Sequence, residues 1–332
     1  MKKFFTCLLF LISLNTYADY LIVSRDSYIY EKRSSSSRQI ERVSKGTLIQ
    51  LIESIDCYYK VIAPVSGEQG WIYCNRVRRR TGDIPMNNSL LIPPNSERLR
   101  SDFLPPLASG NVIIRQRGYV SDMSVEFNIP KWVFHHINKN LLDDSERRTR
   151  PSGYKSDPSF ATLKTTAYAG SGYDHGHLAP AGDFQWDGDI FSDSFFMTNM
   201  GPQHGCMNQK GWCLLESNVR EWARNRPQSD FYIFSGSVLR DFIDTLCLLN
   251  DVQIFVPPQF FKVVLEVSNN SLVGGIAFLV DNSDVNGTDI ASLAVTIDQV
   301  EILTGLNFFP ILTQFQEQIA ESRIGNYAIE NF

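Results

Sequence analysis

The stretch 172–220 concentrates the residue types that water-activating and metal-binding sites use. It begins Gly-Tyr-Asp-His-Gly-His, which ends at His177, and it continues to a segment that carries Asn208. An imidazole titrates near neutral pH, so His177 could take a proton from water. Mg²⁺ prefers oxygen ligands and keeps most of its waters, so the one amide oxygen of Asn208 would suffice as a protein ligand. These residue types are compatible with water activation beside a hydrated divalent cation.

The spacing of these residues indicates the elements that must position them. Asp174, His175 and His177 flank Gly176, as expected where a strand ends and the backbone turns or is closely approached. Spacings of three to five then predict one helix with a polar edge and an apolar edge, carrying Asn208, Gln209, Trp212, Leu215, Glu216 and Arg220. The predicted order is a strand end with a histidine, a loop, and a helix with an asparagine and a glutamate.

Ordinary structural roles compete with these chemical ones. Asn208 is also a favourable helix N-cap, and Glu216 could simply pair with Arg220 at i, i+4. Asn199 could be a turn residue, and His177 a structural histidine. The remaining aromatic and histidine residues near the motifs are expected to be structural: Trp212, His135, His136 and His204.

Three linked sequence blocks resemble the signature of the DNA/RNA non-specific endonuclease family, of the endonuclease G type. That signature reads Asp-Arg-Gly-His, then Asn-x-x-Pro-Gln, then Asn-Gln-x-x-Trp-x-x-Leu-Glu. The matching blocks here are Asp174-His175-Gly176-His177, Asn199-Met200-Gly201-Pro202-Gln203, and Asn208-Gln209-Lys210-Gly211-Trp212-Cys213-Leu214-Leu215-Glu216. Three blocks in order are far more specific than the first one alone. With Lys131–Ile137, Thr149–Pro158 and Val295–Leu306, the resemblance covers roughly residues 110–310.

The resemblance implies a ββα-metal fold and a role for each matching residue. His177 would be the general base. Asn208 would bind Mg²⁺, with Mn²⁺ as an alternative ion, and Glu216 would support the network of metal-bound water. Asn199 would help to hold the site, and Asp174 belongs to the same block as His177.

Two arginines are candidates for phosphate contacts. Arg150 would neutralise phosphate charge in the transition state, because a guanidinium matches phosphate oxygens bidentately. Pro151 and Gly153 alter the spacing in this segment, so Arg148 is the fallback. Arg220 would contact the scissile or a neighbouring phosphate.

The chain departs from the family at His175, where the signature has arginine. A permanent cation is thereby replaced by a group that titrates. If this position meets phosphate, we expect His175→Arg to retain or raise activity at about pH 8. A second hypothesis is that His175 and His177, which are two residues apart on one strand face, bind a transition metal.

Charge does not exclude a polyanionic substrate. The net charge is −5, but attraction to phosphate is local. Basic residues cluster at 76–80, at 147–155 and at 220–226, and the last two clusters border the motifs. A site that grips phosphate and metal reads the backbone and not base edges. We therefore expect cleavage of both DNA and RNA with little sequence preference, leaving 5′-phosphate ends.

The N-terminus resembles a secretory signal peptide over residues 1–18. Lys2 and Lys3 precede the apolar run Phe4–Leu14 and then Thr16-Tyr17-Ala18, which is short for a membrane span. We therefore expect export to the periplasm or medium, without stable membrane insertion. Export favours disulfides, and five cysteines remain, so at least one is unpaired or bonds elsewhere. Cys57–Cys74 is the first candidate pair, and the pairing of Cys206, Cys213 and Cys247 is left open.

The rest of the chain predicts two domains of different class. Short β-branched or alternating segments over 19–78 predict an all-β domain that resembles bacterial SH3-like domains, which bind cell-wall peptides or protein surfaces. Residues 79–108 combine charge and proline, as linkers do. In 109–332, strands come in runs apart from the helices, which predicts an α+β fold with a central antiparallel sheet and flanking helices. The predicted C-terminal helices are Val295–Leu303 and Ile311–Ala320.

Two functions from different classes fit these observations. The first is an exported Mg²⁺-dependent endonuclease that hydrolyses phosphodiester bonds in DNA and RNA. The second is a catalytically weak or inactive nuclease fold that serves as a cell-wall or surface binding module, which the change at His175 and the acidic net charge support. The presence of His177, Asn208 and Glu216 favours the first. Homodimers occur in the family, so a dimer is also considered.

Overall fold

The computed structural model describes residues 20–79, 91–107, 111–239 and 246–329, apart from short gaps at 46, 56, 64–65, 67, 93–96, 145 and 250–251. The chain divides into two compact units, Met1–Gly82 and Asp83–Phe332. The predicted signal peptide lies outside the described residues. Within the described part of the chain, no helix combines the length and apolar character that a bilayer crossing requires.

The first unit is one antiparallel sheet of seven strands in the order β3-β2-β6-β5-β4-β1-β7. The strands are β1 (Tyr20–Val23), β2 (Ser27–Tyr30), β3 (Gln39–Val43), β4 (Leu48–Ile55), β5 (Tyr58–Ile62), β6 (Gln69–Tyr73) and β7 (Val77–Arg79). Alternate side chains, among them Leu21, Ile29 and Val61, form its buried core. The all-β character is confirmed, whereas the resemblance to SH3-like domains stays a prediction.

Cys57 and Cys74 lie at the end of the β5–β6 hairpin, directly beyond the paired residues Tyr58 and Tyr73. The backbone N–H of Cys74 donates to the carbonyl of Cys57 at 2.8 Å, so the two residues face each other across the hairpin. Both are free thiols in the structure. The predicted disulfide between them therefore stays a prediction.

The second unit is built on an antiparallel sheet of seven strands in the order β18-β17-β16-β13-β10-β9-β8. The strands are β8 (Val112–Arg115), β9 (Tyr119–Ser124), β10 (Ile129–Asn138), β13 (Ser229–Ser237), β16 (Gln259–Ser268), β17 (Ser271–Asp281) and β18 (Ala294–Val295). Two ribbons accompany it, β11 (Tyr173–His177) with β12 (Met200–His204), and β14 (Leu246–Leu249) with β15 (Val252–Phe255). The expected α+β class with a central antiparallel sheet is confirmed.

Helices cover both faces of this sheet. They are α1 (Lys139–Asp143), α2 (Gly188–Asp193), a π-helix (Met207–Trp212), α3 (Cys213–Asn225), α4 (Ile297–Thr304) and α5 (Gln314–Ala320). In β10, Val133 joins the core cluster under α3, while Trp132 and Phe134 join the cluster under α4 and α5. Successive strand residues point to opposite faces, so central strands buried on both sides are almost continuously apolar.

Part of the segment 79–108, expected to be a linker, belongs to the second unit instead. Phe103 is fully buried, with its ring centroid 4.7 Å from that of Tyr232 and 5.4 Å from that of Phe309. Ile92 and Leu104 lie in the same cluster. The linker prediction was therefore wrong for these residues, because isolated apolar side chains between prolines and charges carry no periodic signal but still fill the core.

The two C-terminal helices begin later than expected, at Ile297 and Gln314. Each begins after a threonine, Thr296 or Thr313, whose side chain accepts from the N3 backbone in a capping box. Helix α4 ends at Gly305 with φ +72°, the left-handed conformation that favours glycine. Caps, which apolar periodicity does not show, thus set these boundaries.

Candidate active site

The ribbon β11–β12 brings the first two motif blocks together. His177 pairs with Met200, Gly176 with Gly201, and Asp174 with Gln203. A Cβ atom at Gly176 would lie 1.9 Å from Oε1 of Gln203, so the side chain of Gln203 can cross the strand only because residue 176 has none. The glycine between the two histidines is therefore required by close packing, as the sequence indicated.

His177 has the environment of a neutral base. Its side chain is only 8% exposed, and its ring centroid is 5.1 Å from that of Phe195 and 6.2 Å from that of Tyr154. Atom Nε2 has no hydrogen-bond partner among the described residues. Burial, reinforced by the charge of Arg150, lowers the pKa of His177 to about 3. The unprotonated imidazole, which can accept a proton, is thus the form present at neutral pH.

The third motif block is not one continuous α-helix, which corrects the prediction. It begins as a π-helix, Met207–Trp212, and becomes α-helical at Cys213. The wider turn is a feature often found at functional sites. Trp212 is buried in the core as predicted, and its Nε1 donates to the carbonyl of His177 at 3.1 Å. This bond ties the helix directly to the end of the strand.

Asn208 lies inside this helical segment and faces the strand. Its Nδ2 donates to Oδ2 of Asp174 at 2.9 Å, and Nε2 of Gln209 donates to the same oxygen at 2.9 Å. The alternative role of Asn208 as an N-cap was wrong, because the helix has already begun. A carboxylate only accepts hydrogen bonds, so Asp174 holds the NH₂ group and leaves the amide oxygen of Asn208 for another partner.

Glu216, which lines the cavity, and the buried Lys262 influence each other's pKa through their opposite charges. Burial raises the pKa of Glu216 to about 7, while the charges of Lys262 and Arg220 oppose the rise. Burial also lowers the pKa of Lys262 to about 8, against the attraction of Glu216. Nζ of Lys262 donates to Oγ of Ser235 at 2.7 Å and lies 4.4 Å from the ring centroid of Trp212.

Lys262 was missed by the sequence reasoning. In β16, Phe260 and Val264 join the cluster on the α3 side of the sheet, so Lys262 between them points the same way. It is only 2% exposed, and lysine is almost never fully buried without a compensating partner. A lone lysine in the otherwise apolar run of β16 was the available signal.

Arg220 is held by a buried carboxylate that was also missed. Its Nη1 donates to Oδ1 of Asp183 at 2.9 Å, and Nε2 of His135 lies 2.9 Å from Oδ2 of the same side chain. No salt bridge joins Glu216 to Arg220 among the described residues, so the alternative role of Glu216 as a plain i, i+4 ion pair is not supported. His135 is structural, as expected, since it helps to fix Asp183 and thereby Arg220.

Asn199 supports the loop that follows His177 and does not line the cavity. It is fully buried, its Oδ1 accepts from the N–H of Ala179 at 2.8 Å, and its Nδ2 donates to the carbonyls of Ala179 and Ser194 at 2.8 Å. Three hydrogen bonds from one amide hold this loop in place. The contribution of Asn199 is therefore to position its neighbours.

Arg150 and Arg148 differ in what their guanidinium groups contact. Arg150 is exposed at the cavity, with its Cζ 5.3 Å from the ring centroid of Phe195. Arg148 donates from Nε to the carbonyl of Gln185 at 2.7 Å, and it does not line the cavity. The structure therefore favours Arg150 over the fallback as the phosphate contact.

His175 is packed as a neutral ring. It stacks on Tyr154 with centroids 4.2 Å apart and an interplanar angle of 12°, and its Nε2 lies 3.2 Å from the carbonyl of Thr165. Burial lowers its pKa, against the hydrogen bond to Thr165. The hypothesis that His175 and His177 together bind a transition metal is disfavoured, because Nε2 of His175 already contacts the carbonyl of Thr165.

The site residues that the sequence predicted, except Asn199, meet at one cavity of about 760 Å³. Its walls include the predicted site residues Arg150, Asp174, His175, His177, Asn208, Glu216 and Arg220. The amide oxygen of Asn208 and the carboxylates of Asp174 and Glu216 are hard oxygen donors, which suit a divalent cation of the Mg²⁺ type. The donor set therefore fits the metal that the resemblance implies.

Comparisons with known proteins agree with this geometry. The sequence profile of the DNA/RNA non-specific endonuclease family matches residues 103–315. Nuclease C1 of Cunninghamella echinulata var. echinulata is 29% identical over 231 residues, which are 65% of this chain and 89% of that protein. The mitochondrial nuclease EXOG of Mus musculus is 29% identical over 206 residues, which are 57% of this chain and only 54% of EXOG.

A solved structure supports the fold. A chain in the crystal structure of the EndoG/EndoGI complex aligns with a TM-score of 0.56 and 24% identity, covering 66% of this chain and 92% of that chain. The second unit thus has the ββα-metal nuclease fold that the resemblance implied. Because the family profile spans more than half of the sequence, this chain belongs to the DNA/RNA non-specific endonuclease family and is a nucleic-acid-hydrolysing enzyme.

Proposed function

We propose that the chain is a Mg²⁺-dependent endonuclease that cleaves phosphodiester bonds in both DNA and RNA, with His177 as general base and Asn208 as metal ligand. One observation carries the proposal: His177, whose Nε2 has no hydrogen-bond partner among the described residues, lines the same cavity as Asn208, and Asp174 links the two elements. Base and cation ligand are thus within reach of one phosphate.

His177 would take the proton of the attacking water at Nε2. Its low pKa keeps the nitrogen free of protons before substrate binds. A low pKa also makes the free imidazole a weak base. The negative phosphate would offset the charge of Arg150, which is one of the causes of the low value, and so would raise the basicity of His177 when substrate is present.

The remaining residues would orient the phosphate and the leaving group. Arg150 and Arg220 are the two guanidinium groups at the cavity, and they would bind non-bridging phosphate oxygens. A cation held by the Asn208 oxygen, with Glu216 ordering its water, would supply Lewis-acid stabilisation of the leaving oxygen. None of these contacts reads a base edge, so the site supports cleavage of DNA and RNA alike.

The direct test uses DNA and RNA of matched sequence with purified protein, in Mg²⁺ or in EDTA. We expect both substrates to be cut internally in Mg²⁺, with 5′-phosphate ends, and no cleavage in EDTA. Rates should fall steeply as salt rises, because phosphate contacts release counterions. Equal cleavage in EDTA, or cleavage of only one nucleic acid, would contradict the proposal.

We also propose that the chain is exported and that its first unit binds a cell-wall or protein ligand. These proposals rest on the sequence pattern of residues 1–18 and on the resemblance of residues 19–78 to SH3-like domains. Cell fractionation tests export, and a pull-down of purified cell wall with residues 19–332 tests the ligand. Homodimers occur in the family, and light scattering tests whether this chain forms one.

A further inference from the structure

Three carboxylates converge on the side of the sheet away from the active site. Asp298 and Glu301 belong to α4, and Glu321 directly follows α5. One oxygen from each lies within 4.8 Å of the others. Both helices pack on the sheet face opposite to α3, through Ile297, Val300 and Ala320. The carboxylate cluster is therefore separate from the catalytic cavity.

The fold holds these groups together through the backbone. The N–H of Asp298 donates to the carbonyl of Glu321 at 3.1 Å, so the end of α5 lies against the first turn of α4. Asp298 and Glu301 are three residues apart and share one face of α4. Oε1 of Glu301 also accepts from the N–H of Phe308 at 2.6 Å. The cluster is thus fixed by the packing of two helices and is not a chance grouping of mobile side chains.

Glu321 is the strongest sign that something is missing. It is only 3% exposed, and its Oε1 is buried with no hydrogen-bond partner among the described residues. A buried carboxylate without a partner is unfavourable unless it is neutralised or binds a metal. Helix α5 therefore directs an unsatisfied oxygen into a group of other carboxylates.

The charges that shift the pKa of Glu321 are all negative. Burial raises the pKa of Glu321 to about 10, and the charges of Glu301, Glu317 and Asp298 raise it further. Burial likewise raises the pKa of Glu301 to about 7. Within the described part of the chain, no lysine or arginine forms a salt bridge with any of these four carboxylates. The cluster lacks a positive partner.

We propose that Asp298, Glu301 and Glu321 form a Ca²⁺ site that joins α4 to α5. Ca²⁺ binds carboxylate oxygens at about 2.4 Å in flexible geometry, so one ion can bridge oxygens up to about 4.8 Å apart. Mg²⁺ binds at about 2.1 Å and demands a near-ideal octahedron, so carboxylates contributed by two helices favour the more adaptable Ca²⁺. The role of the bound Ca²⁺ would be structural, because the ion would hold the two C-terminal helices together.

The test is thermal unfolding of the whole protein across a Ca²⁺ titration, with Mg²⁺ in parallel. A ligand that binds only the folded state raises Tm, here by about 5–10 °C when Ca²⁺ reaches about 100 times its dissociation constant. Glu321→Gln should lose this rise and should still cleave DNA in Mg²⁺. Without Ca²⁺ its stability should be close to that of wild type, since a Glu321 with a pKa of about 10 is already uncharged at neutral pH.

Two further variants make the experiment specific. Asn208→Ala removes the proposed active-site ligand and should keep the Ca²⁺-dependent rise, while Glu126→Gln changes an exposed carboxylate elsewhere and should behave as wild type. If Glu321→Gln fails to fold, Glu301→Gln replaces it. An unchanged wild-type Tm in Ca²⁺, or the same rise in Glu321→Gln, would overturn the proposal, as would a rise that Asn208→Ala abolishes.

Discussion

The carboxylate of Asp174 accepts a 2.9 Å hydrogen bond from the amide nitrogen of Asn208, which joins the strand of the general base to the helix of the metal ligand. The bond fixes which end of the amide faces the cavity. Since Asp174 takes the nitrogen, the oxygen is left for a cation. Partners of this kind orient metal ligands and typically change metal affinity 10–100-fold when they are removed.

Asp174→Asn should weaken metal binding, because it changes the partner that orients the amide of Asn208. An asparagine at 174 can offer its own NH₂ group, which would draw the oxygen of Asn208 away from the cavity. We expect the Mg²⁺ concentration for half-maximal cleavage to rise about 10–100-fold. Gln209→Ala removes the second donor to Asp174 and serves as control, with a smaller change. Equal Mg²⁺ activation of Asp174→Asn and wild type would argue against this role.

Lys262→Met should change the pH dependence of cleavage. The charge of Lys262 opposes the burial that raises the pKa of Glu216, so its loss should raise that pKa above about 7 and move the acidic limb of the rate profile to higher pH. Ser235→Ala removes the hydrogen bond to Lys262 and keeps the charge of Lys262. The acidic limb of the rate profile should therefore move less in this variant. A uniform loss of rate at every pH would show that Lys262 acts only in packing.

Asp183→Asn should destabilise the protein and release Arg220. Burial alone would raise the pKa of Asp183, but the hydrogen bond from His135 and the charge of Arg220 lower it below its usual value. The stabilisation that the Asp183 carboxylate provides is thus complete above about pH 4. It is lost as pH falls through the lowered pKa that Asp183 has in the folded protein. Removing one partner of a buried pair costs about 3–5 kcal/mol.

Urea unfolding at neutral and at acidic pH measures this effect. The deficit of Asp183→Asn relative to wild type should be largest near neutral pH and should shrink in strong acid. Asp189→Asn, at an exposed carboxylate that pairs with Arg117, should cost much less at either pH. Equal stability of Asp183→Asn and wild type at neutral pH would contradict the assignment.

His175→Arg should retain or raise cleavage at about pH 8. His175 is a neutral ring on Tyr154 at the cavity wall, and a guanidinium can stack on the same tyrosine while it adds a permanent charge. Initial rates of His175→Arg and His175→Ala on one DNA substrate separate charge from packing. A large loss in the arginine variant would mean that the neutral imidazole has a function of its own.

The sequence predicted the motif residues well and their supporting residues poorly. His177, Asn208 and Glu216 stand in blocks whose spacing is specific, and the structure brings all three to one cavity. Asp183 and Lys262 come from segments without a motif, and only the packing of the sheet under α3 shows that they meet Arg220 and Glu216. Long-range side-chain partners of this kind leave little trace in local periodicity.

The element boundaries show the same limit. Strands with alternating burial were predictable, whereas the π-helix at Met207–Trp212 and the starts of α4 and α5 depend on local backbone geometry and caps. Phe103 lies between charges and prolines, so its place in the core depends on tertiary contacts with Tyr232 and Phe309.

The most direct measurement is the initial rate of plasmid DNA and RNA cleavage by His177→Ala beside wild type in Mg²⁺. We predict a loss of about 10²–10⁴-fold on both substrates, with Mg²⁺ activation and thermal unfolding close to wild type, because the variant removes the base and leaves Asn208 and its carboxylate partner in place. A folded His177→Ala protein that cleaves at the wild-type rate would contradict the account.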